Sequence, residues 1–187
     1  MAQATRILGV DPGLNTTGYG VIDVTNGKAK LVEAGVVRGK TKGSLEARLC
    51  EIHIGIAEVI AALKPEIVAI EQLYSHYERP RTAILMGHAR GVIVLAAALA
   101  KVPVMHYAAT QVKKMLTGSG RSPKLQIQHA ICREFGLLKP PEPPDVADAL
   151  AIALCHYYTT RNGINQPQPN NLLRKLLESQ GKITKTA

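Results

Sequence analysis

Residues Arg6–Asp23, RILGVDPGLNTTGYGVID, decide how this chain is read. The apolar run Ile7–Val10 ends in a single carboxylate, Asp11; Pro12-Gly13 then breaks the strand, and Gly18–Val21 begins another. This pattern predicts two antiparallel strands joined by a turn, with one acid projecting from a buried edge of the sheet. A carboxylate in such a place needs a counter-charge, and Gly13, Gly18 and Gly20 are expected to leave room for a ligand beside the backbone. Asp11 is therefore read as a metal ligand whose partners come from other segments.

Working outward, Asn26-Gly27 separates two apolar-rich runs, Thr17–Val24 and Lys28–Val37, and suits a two-residue turn with positive φ. The first three strands then form an antiparallel meander. Apolar residues recur at Leu45, Leu49, Ile52, Ile56, Val59, Ile60 and Leu63, a helical spacing that Lys64-Pro65 ends. Glu66–Leu73, EIVAIEQL, reads as a buried strand parallel to the first, which places Glu71 near Asp11 at one sheet edge.

A polar loop from Tyr74 to Arg81 precedes an apolar helix over Thr82–Ala100. Its Gly87 and Gly91 lie one turn apart and predict close approach of another helix, read as packing within the monomer ahead of a helix from a second subunit. Val102–Tyr107 is a further strand, followed by helical segments around Thr110–Leu116 and Pro123–Phe135. Pro140–Pro144 leads into a helix, Asp145–Tyr158, that is apolar nearly all round. Beyond Arg161 the composition turns to Asn, Gln and Pro, with a Leu-rich patch at Leu172–Leu177 that is a candidate docking helix. The expected fold is α/β, a mixed five-stranded sheet (antiparallel meander, then parallel strands) flanked by helices, in one domain over residues 1–160 with a flexible tail over 161–187.

A chain of 187 residues with 46% hydrophobic content supports one sizeable core. Cys50, Cys132 and Cys155 are odd in number and far apart, which excludes a disulfide framework or a zinc site and fits reduced thiols in the cytoplasm. The N-terminus has no apolar segment of the signal-peptide kind, and the run Gly91–Ala100 is too short to span a bilayer, so no membrane association is expected. The formal net charge is +9, and between Glu78 and Glu134 nine basic residues stand without one acid. Such one-signed bias fits a polyanion such as nucleic acid as well as it fits a solvated basic surface.

Against that background the chain has only four aspartates, Asp11, Asp23, Asp145 and Asp148. Asp145 and Asp148 start a helix three residues apart, so both carboxylates share a face. Capping of the helix N-terminus explains one of them; two on one face of a core helix, with Asp11 and Glu71, point to a site. Clustered carboxylates suit Mg²⁺ or Mn²⁺, and two such ions activate water and stabilise the leaving oxygen in phosphodiester hydrolysis. The six histidines are scattered, and spacing supports a metal role for none of them.

The segments GVDPGLNTTGYGVI, IVAIEQLY, GHARGV, YAATQVKK, GSGRSPKLQIQH and DVADALAIALCH, in order from Arg6 to His156, resemble the RuvC family of Holliday junction resolvases in the ribonuclease H-like superfamily. The resemblance implies a Mg²⁺-dependent homodimeric endonuclease, with Mn²⁺ as a substitute, that nicks two like-polarity strands of a four-way DNA junction. It further implies a RuvA-RuvB type branch-migration partner. By position, Asp11, Glu71, Asp145 and Asp148 become the metal-binding acids and Lys113 and Lys124 the basic residues near the scissile phosphate. Tyr74 matches an aromatic wedge at the junction centre, and Lys114 and Arg121 are further candidate DNA contacts. Three alternatives remain: an actin-like or sugar-kinase-like ATPase, a junction-binding protein without catalysis, and a nuclease acting on RNA–DNA hybrids.

Overall fold

The computed structural model describes residues 4–38, 43–73, 80–161 and 163. The elements run β1 (Thr5–Asp11), β2 (Thr16–Thr25), β3 (Lys28–Arg38), α1 (Leu45–Leu63), β4 (Ile67–Glu71), α2 (Pro80–Leu99), β5 (Val104–Tyr107), α3 (Ala109–Thr117), α4 (Lys124–Phe135) and α5 (Pro144–Arg161). Strand order is β3-β2-β1-β4-β5, with β1 antiparallel to β2 and parallel to β4, and β4 parallel to β5. This is the expected ribonuclease H-like arrangement. Its β2–β3 turn forms as anticipated, with Asn26 and Gly27 at φ 52° and 71°. The Leu172–Leu177 docking helix and most of the tail lie outside the described residues.

The sheet divides two cores. On one face Leu8, Val10, Val68 and Ile70 pack against Ile52, Ile56 and Ile60 of α1 and Ala89, Ile93, Ala96 and Ala97 of α2. On the other, Ile7, Ile22, Ala69, Met105 and Tyr107 pack against α5 with help from α3 and α4. Helix α5 is apolar all round because it is buried all round: Val146, Ala147 and every residue from Ala149 to Tyr157 are inaccessible.

Its close seating on the sheet explains the glycines of the opening stretch, and differently from the sequence expectation. A Cβ on Gly9 would meet the Ala149 carbonyl oxygen at 2.2 Å, on Gly18 the Asp145 carbonyl oxygen at 2.1 Å, and on Gly20 the Leu150 side chain at 2.6 Å. A Cβ on Gly13 would strike the Thr16 carbonyl oxygen at 2.1 Å. The space beside these glycines is filled by the protein's own chain, not kept for a ligand.

Helix α2 departs from expectation in three ways. It begins at Pro80, whose missing N–H suits the first helical turn. By length and composition it is apolar enough to cross a bilayer, with mean hydropathy 1.7 over Arg81–Leu99 and 28% of that stretch buried. The ten-residue run counted from sequence stopped at Arg90, which a longer apolar stretch tolerates. The third departure concerns its glycines: a Cβ on Gly91 would meet nothing within 4 Å and on Gly87 only Leu73 at 3.9 Å, so the described residues do not use the expected close packing.

Because main-chain atoms of α5 lie against Gly9, Gly9→Ala must displace the whole helix. We expect a loss of about 2–3 kcal/mol or more in urea unfolding, whereas Gly27→Asn, at a solvated turn with φ 71°, should change the midpoint little.

Candidate active site

Alternation along the strands decides which way the acids point. Leu8 and Val10 enter the α1/α2 core, so Asp11 shares the opposite face with Ile7 and Gly9, under α5. On β4, Val68 and Ile70 pack toward α1 and α2 and Ala69 toward α5, so Glu71 takes the same side as Asp11. The parallel register Val10↔Ile70 then sets the two carboxylates beside one another at the C-terminal ends of neighbouring strands. Asp145 stands in the first turn of α5 and Asp148 one turn later, facing the same region.

A cavity of about 300 Å³ opens where these elements meet. Asp11, Glu71 and Asp148 form its acidic wall, Lys113 of α3 and Lys124 at the start of α4 its basic one, and Val112, Ile127 and Ala151 its apolar floor. Asp145 does not line the cavity; its field reaches Asp11, and its carbonyl oxygen lies over Gly18, the cross-strand neighbour of Asp11. Lys124 Nζ donates to Asp148 Oδ2 at 2.6 Å, an ion pair at the cavity mouth.

The electrostatics carry the mark of crowded acids. Burial, then the fields of Asp148, Glu71 and Asp145, push the Asp11 carboxyl up to about 7, with Lys124 opposing the rise. Burial and Asp148 also raise Glu71, and Lys113 moderates the effect. For Lys124, burial works against the charge, but the hydrogen bond to Asp148 and the fields of Asp148, Asp11 and Asp145 outweigh it and raise the ammonium. Four carboxylates against two ammonium groups leave a formal charge of −2.

Among the described residues, no three His, Cys, Asp or Glu side chains are drawn together tightly enough to hold a metal ion as they stand. Lys124 takes the place of a cation on Asp148 instead. The donor set nonetheless fits a hard divalent ion: all-oxygen, uncompensated, and walled with enough space for waters. A proton held by Asp11 near neutrality is what an acid cluster does when positive charge is lacking.

The structure thus gathers Asp11, Glu71, Asp148, Lys113 and Lys124 at one cavity, with Asp145 in the first turn of α5 outside the lining. It does not gather Lys114 and Arg121, which are exposed and do not line the cavity. Tyr74 lies outside the described residues. The fourth aspartate is structural: Asp23 accepts from Arg6 Nε at 2.7 Å and from the second guanidinium nitrogen at 2.8 Å, while Arg6 also donates to the Leu63 carbonyl. His156 is a core residue whose Nδ1 lies 2.6 Å from the Tyr107 hydroxyl, and burial drives it down to about 4. Sequence reasoning passed over Arg90, which reaches the carbonyl of Glu71; its signal was a lone guanidinium inside an apolar helix.

A family model described as "Crossover junction endodeoxyribonuclease RuvC" matches residues 7–156. A relative from Rhodopirellula baltica bearing that name is 57% identical over 164 residues, 88% of this chain and 92% of its own. The solved structure of Thermus thermophilus RuvC superposes with a TM-score of 0.80 at 35% identity, covering 87% of this chain and 99% of that one. The same scores hold for T. thermophilus RuvC in complex with a Holliday junction substrate. With the sheet order, the acids at the ends of β1 and β4 and the buried α5 all in place, this chain belongs to the RuvC family of crossover junction endodeoxyribonucleases.

Proposed function

We propose that the cavity between β1, β4, α3, α4 and α5 is where this chain cuts four-way DNA junctions, by hydrolysing one phosphodiester on each of two like-polarity strands. The activity is that of its family, a nuclease of DNA recombination and repair. The observation that carries the assignment is convergence: acids from three separate elements and lysines from two more wall one cavity in a chain of net charge +9. A nucleotide-cradling loop of the ATPase kind would leave glycine N–H groups free there, whereas the Gly13 N–H turns to Thr17 Oγ1 at 3.5 Å.

The family is metal-dependent. Asp11, Glu71, Asp145 and Asp148 are the residues that would hold Mg²⁺, two ions per site, with Mn²⁺ as a substitute. Bound there, the ions supply Lewis acidity and an activated water. With ions bound, Asp148 would be one of their ligands, and the Lys124 ammonium, paired with Asp148 here, would bind a non-bridging oxygen of the scissile phosphate. Lys113, on the same basic wall, holds the phosphate beside it. Lys114 and Arg121, on the exposed flank, contact the DNA backbone farther out, and Tyr74 serves as an aromatic wedge at the junction centre.

A second copy of the chain is required for paired nicks, and α2 offers the surface. Ile84, Leu95 and Leu99 are 60%, 50% and 63% exposed and align with Gly91 along one helical face. Open space at Gly91 favours the second-subunit reading of the glycine pair over the expected packing within the monomer. We place the enzyme in the cytoplasm, in company with a RuvA-RuvB type branch-migration complex.

Incubation with labelled junction, linear duplex and RNA–DNA hybrid, with and without Mg²⁺, tests the reading. Paired nicks confined to the junction and to Mg²⁺ are expected; ATP hydrolysis without cutting would overturn it. Asp11→Asn should retain junction binding in a gel-shift assay while single-turnover cleavage falls more than 100-fold, beyond the roughly 10–100-fold cost of outer-shell changes.

The raised Asp11 carboxyl sets a pH dependence. Below about pH 7 a proton occupies Asp11 and competes with the metal, so the half-saturating Mg²⁺ concentration should rise as pH falls from 8 to 6. In the metal-free protein the sign is opposite: a folded-state value above the unfolded one stabilises at low pH, and the contribution is lost as pH rises through about 7. Asp11→Asn should therefore stabilise the metal-free protein at pH 8, by about 1–2 kcal/mol in thermal unfolding.

Lys113→Ala and Lys124→Ala should each weaken binding or cleavage and reduce the salt slope of junction affinity by about one. Leu95→Glu should convert the dimer to monomers in sedimentation velocity and abolish coordinated nicking.

A further inference from the structure

Arg90 is the one basic residue of α2 with a described hydrogen bond into the sheet. Its Nε donates to the Glu71 carbonyl oxygen at 3.1 Å, and a second guanidinium nitrogen lies 2.7 Å from His106 Nδ1. His106 belongs to β5, opposite Ile70 in the β4–β5 register, and alternates with Met105 and Tyr107, so its ring faces α2. The guanidinium fork therefore spans two adjacent strands from the face opposite the cavity and meets β4 at its last residue.

This placement is not explained by stability. Arg90 is partly buried, and desolvation lowers it from its ordinary value; among the described residues its partners are a carbonyl and an imidazole, not a carboxylate. A guanidinium withdrawn from water with neutral partners contributes little net stability. Nor does it tune the Glu71 charge, which responds to burial, Asp148 and Lys113. What the fork does supply is a fixed plane with two parallel donors. Burial, then the guanidinium itself, hold His106 below its ordinary value, and because a guanidinium only donates, Nδ1 is the acceptor in this pair.

We propose that Arg90 is a positioning residue for Glu71: by clamping the carbonyl at which β4 ends to His106 of β5, it sets where the Glu71 carboxylate enters the cavity. The inference rests on the assignment of Glu71 as a metal-binding acid. Carbonyl and carboxylate share one Cα, and the peptide plane between Glu71 and Gln72 is tied to β5 on its other side by the Gln72 N–H donating to the Tyr107 carbonyl at 2.8 Å; Arg90 supplies the second anchor, without which the plane can pivot about the first and carry the carboxylate with it. A displacement of about 1 Å at a reacting centre costs on the order of 10²-fold, and groups that orient a ligand typically contribute 10–100-fold in metal affinity.

The test compares Arg90→Met, Arg90→Lys and Glu71→Gln with the unaltered dimer. Mn²⁺ affinity without DNA is read by electron paramagnetic resonance, the Mg²⁺ dependence of junction cleavage by single-turnover assay, and junction affinity by gel shift in Ca²⁺. Arg90→Met should weaken Mn²⁺ binding and raise the Mg²⁺ requirement about tenfold or more, with junction affinity and dimer content unchanged. Arg90→Lys, with one donor centre for two acceptors, should fall between. Ordinary Mn²⁺ affinity and Mg²⁺ requirement in Arg90→Met would overturn the proposal, as would losses matched by lost junction binding or lost dimer. Should Arg90→Met not fold, an unaltered metal requirement in Arg90→Lys overturns it alone. Glu71→Gln separates the two levels: if it cuts normally, the assignment of Glu71 fails; if it is inactive while both Arg90 variants behave as the unaltered protein, only the role of Arg90 fails.

Discussion

The contact on which this structure depends is the seating of α5 on the bare backbone of β1 and β2. Gly9, Gly18 and Gly20 present no side chain, so the Ala149 and Asp145 carbonyl oxygens and the Leu150 side chain occupy positions that a Cβ would claim. Helix and sheet approach at backbone distance, and α5 can then be buried on every side. Seating also fixes register: with Asp145 over Gly18, the partner of Asp11, the first turn of α5 has nowhere to stand but beside the end of β1. The architecture of the core thereby decides the geometry of the site.

Acids gathered by such packing repel one another, and the surroundings answer in two ways. Part of the charge is balanced by lysines that approach from separate helices, Lys124 directly on Asp148 and Lys113 across the cavity. The remainder is expressed in the elevated carboxyl of Asp11, held partly protonated near neutrality.

Helix α2 shows how one element can carry several duties on different faces. Ala89, Ile93, Ala96 and Ala97 seal the second core, while Ile84, Gly91, Leu95 and Leu99 face outward. Arg90 leaves the helix between these faces and ends at the main chain of Glu71. Its apolar composition alone is that of a membrane span, yet the buried face is matched to a sheet and to α1.

Much of this was legible in the sequence because the signals were local. Apolar runs ending in Asp11 and Glu71, the Asn26-Gly27 turn, the three-residue spacing of Asp145 and Asp148 and the apolar girth of α5 each report on a few neighbouring residues. The strand bounds and the parallel placement of β4 followed from them, and the motif order indicated the family. The function of the glycines was not legible, because a missing side chain looks the same whether a ligand, an adjacent helix or open solvent lies beside it. Gly9, Gly18 and Gly20 proved to face α5, and Gly91 faced open space. Nor could charge alone sort the nine basic residues of the central interval into those that line the cavity, Lys113 and Lys124, the one turned inward, Arg90, and those left outside, Lys114 and Arg121. Sequence determined which groups the chain possesses and the period on which each element displays them. Only the tertiary structure decided which of them meet, because that depends on distances between elements far apart in the chain, set by how closely two backbones can pack.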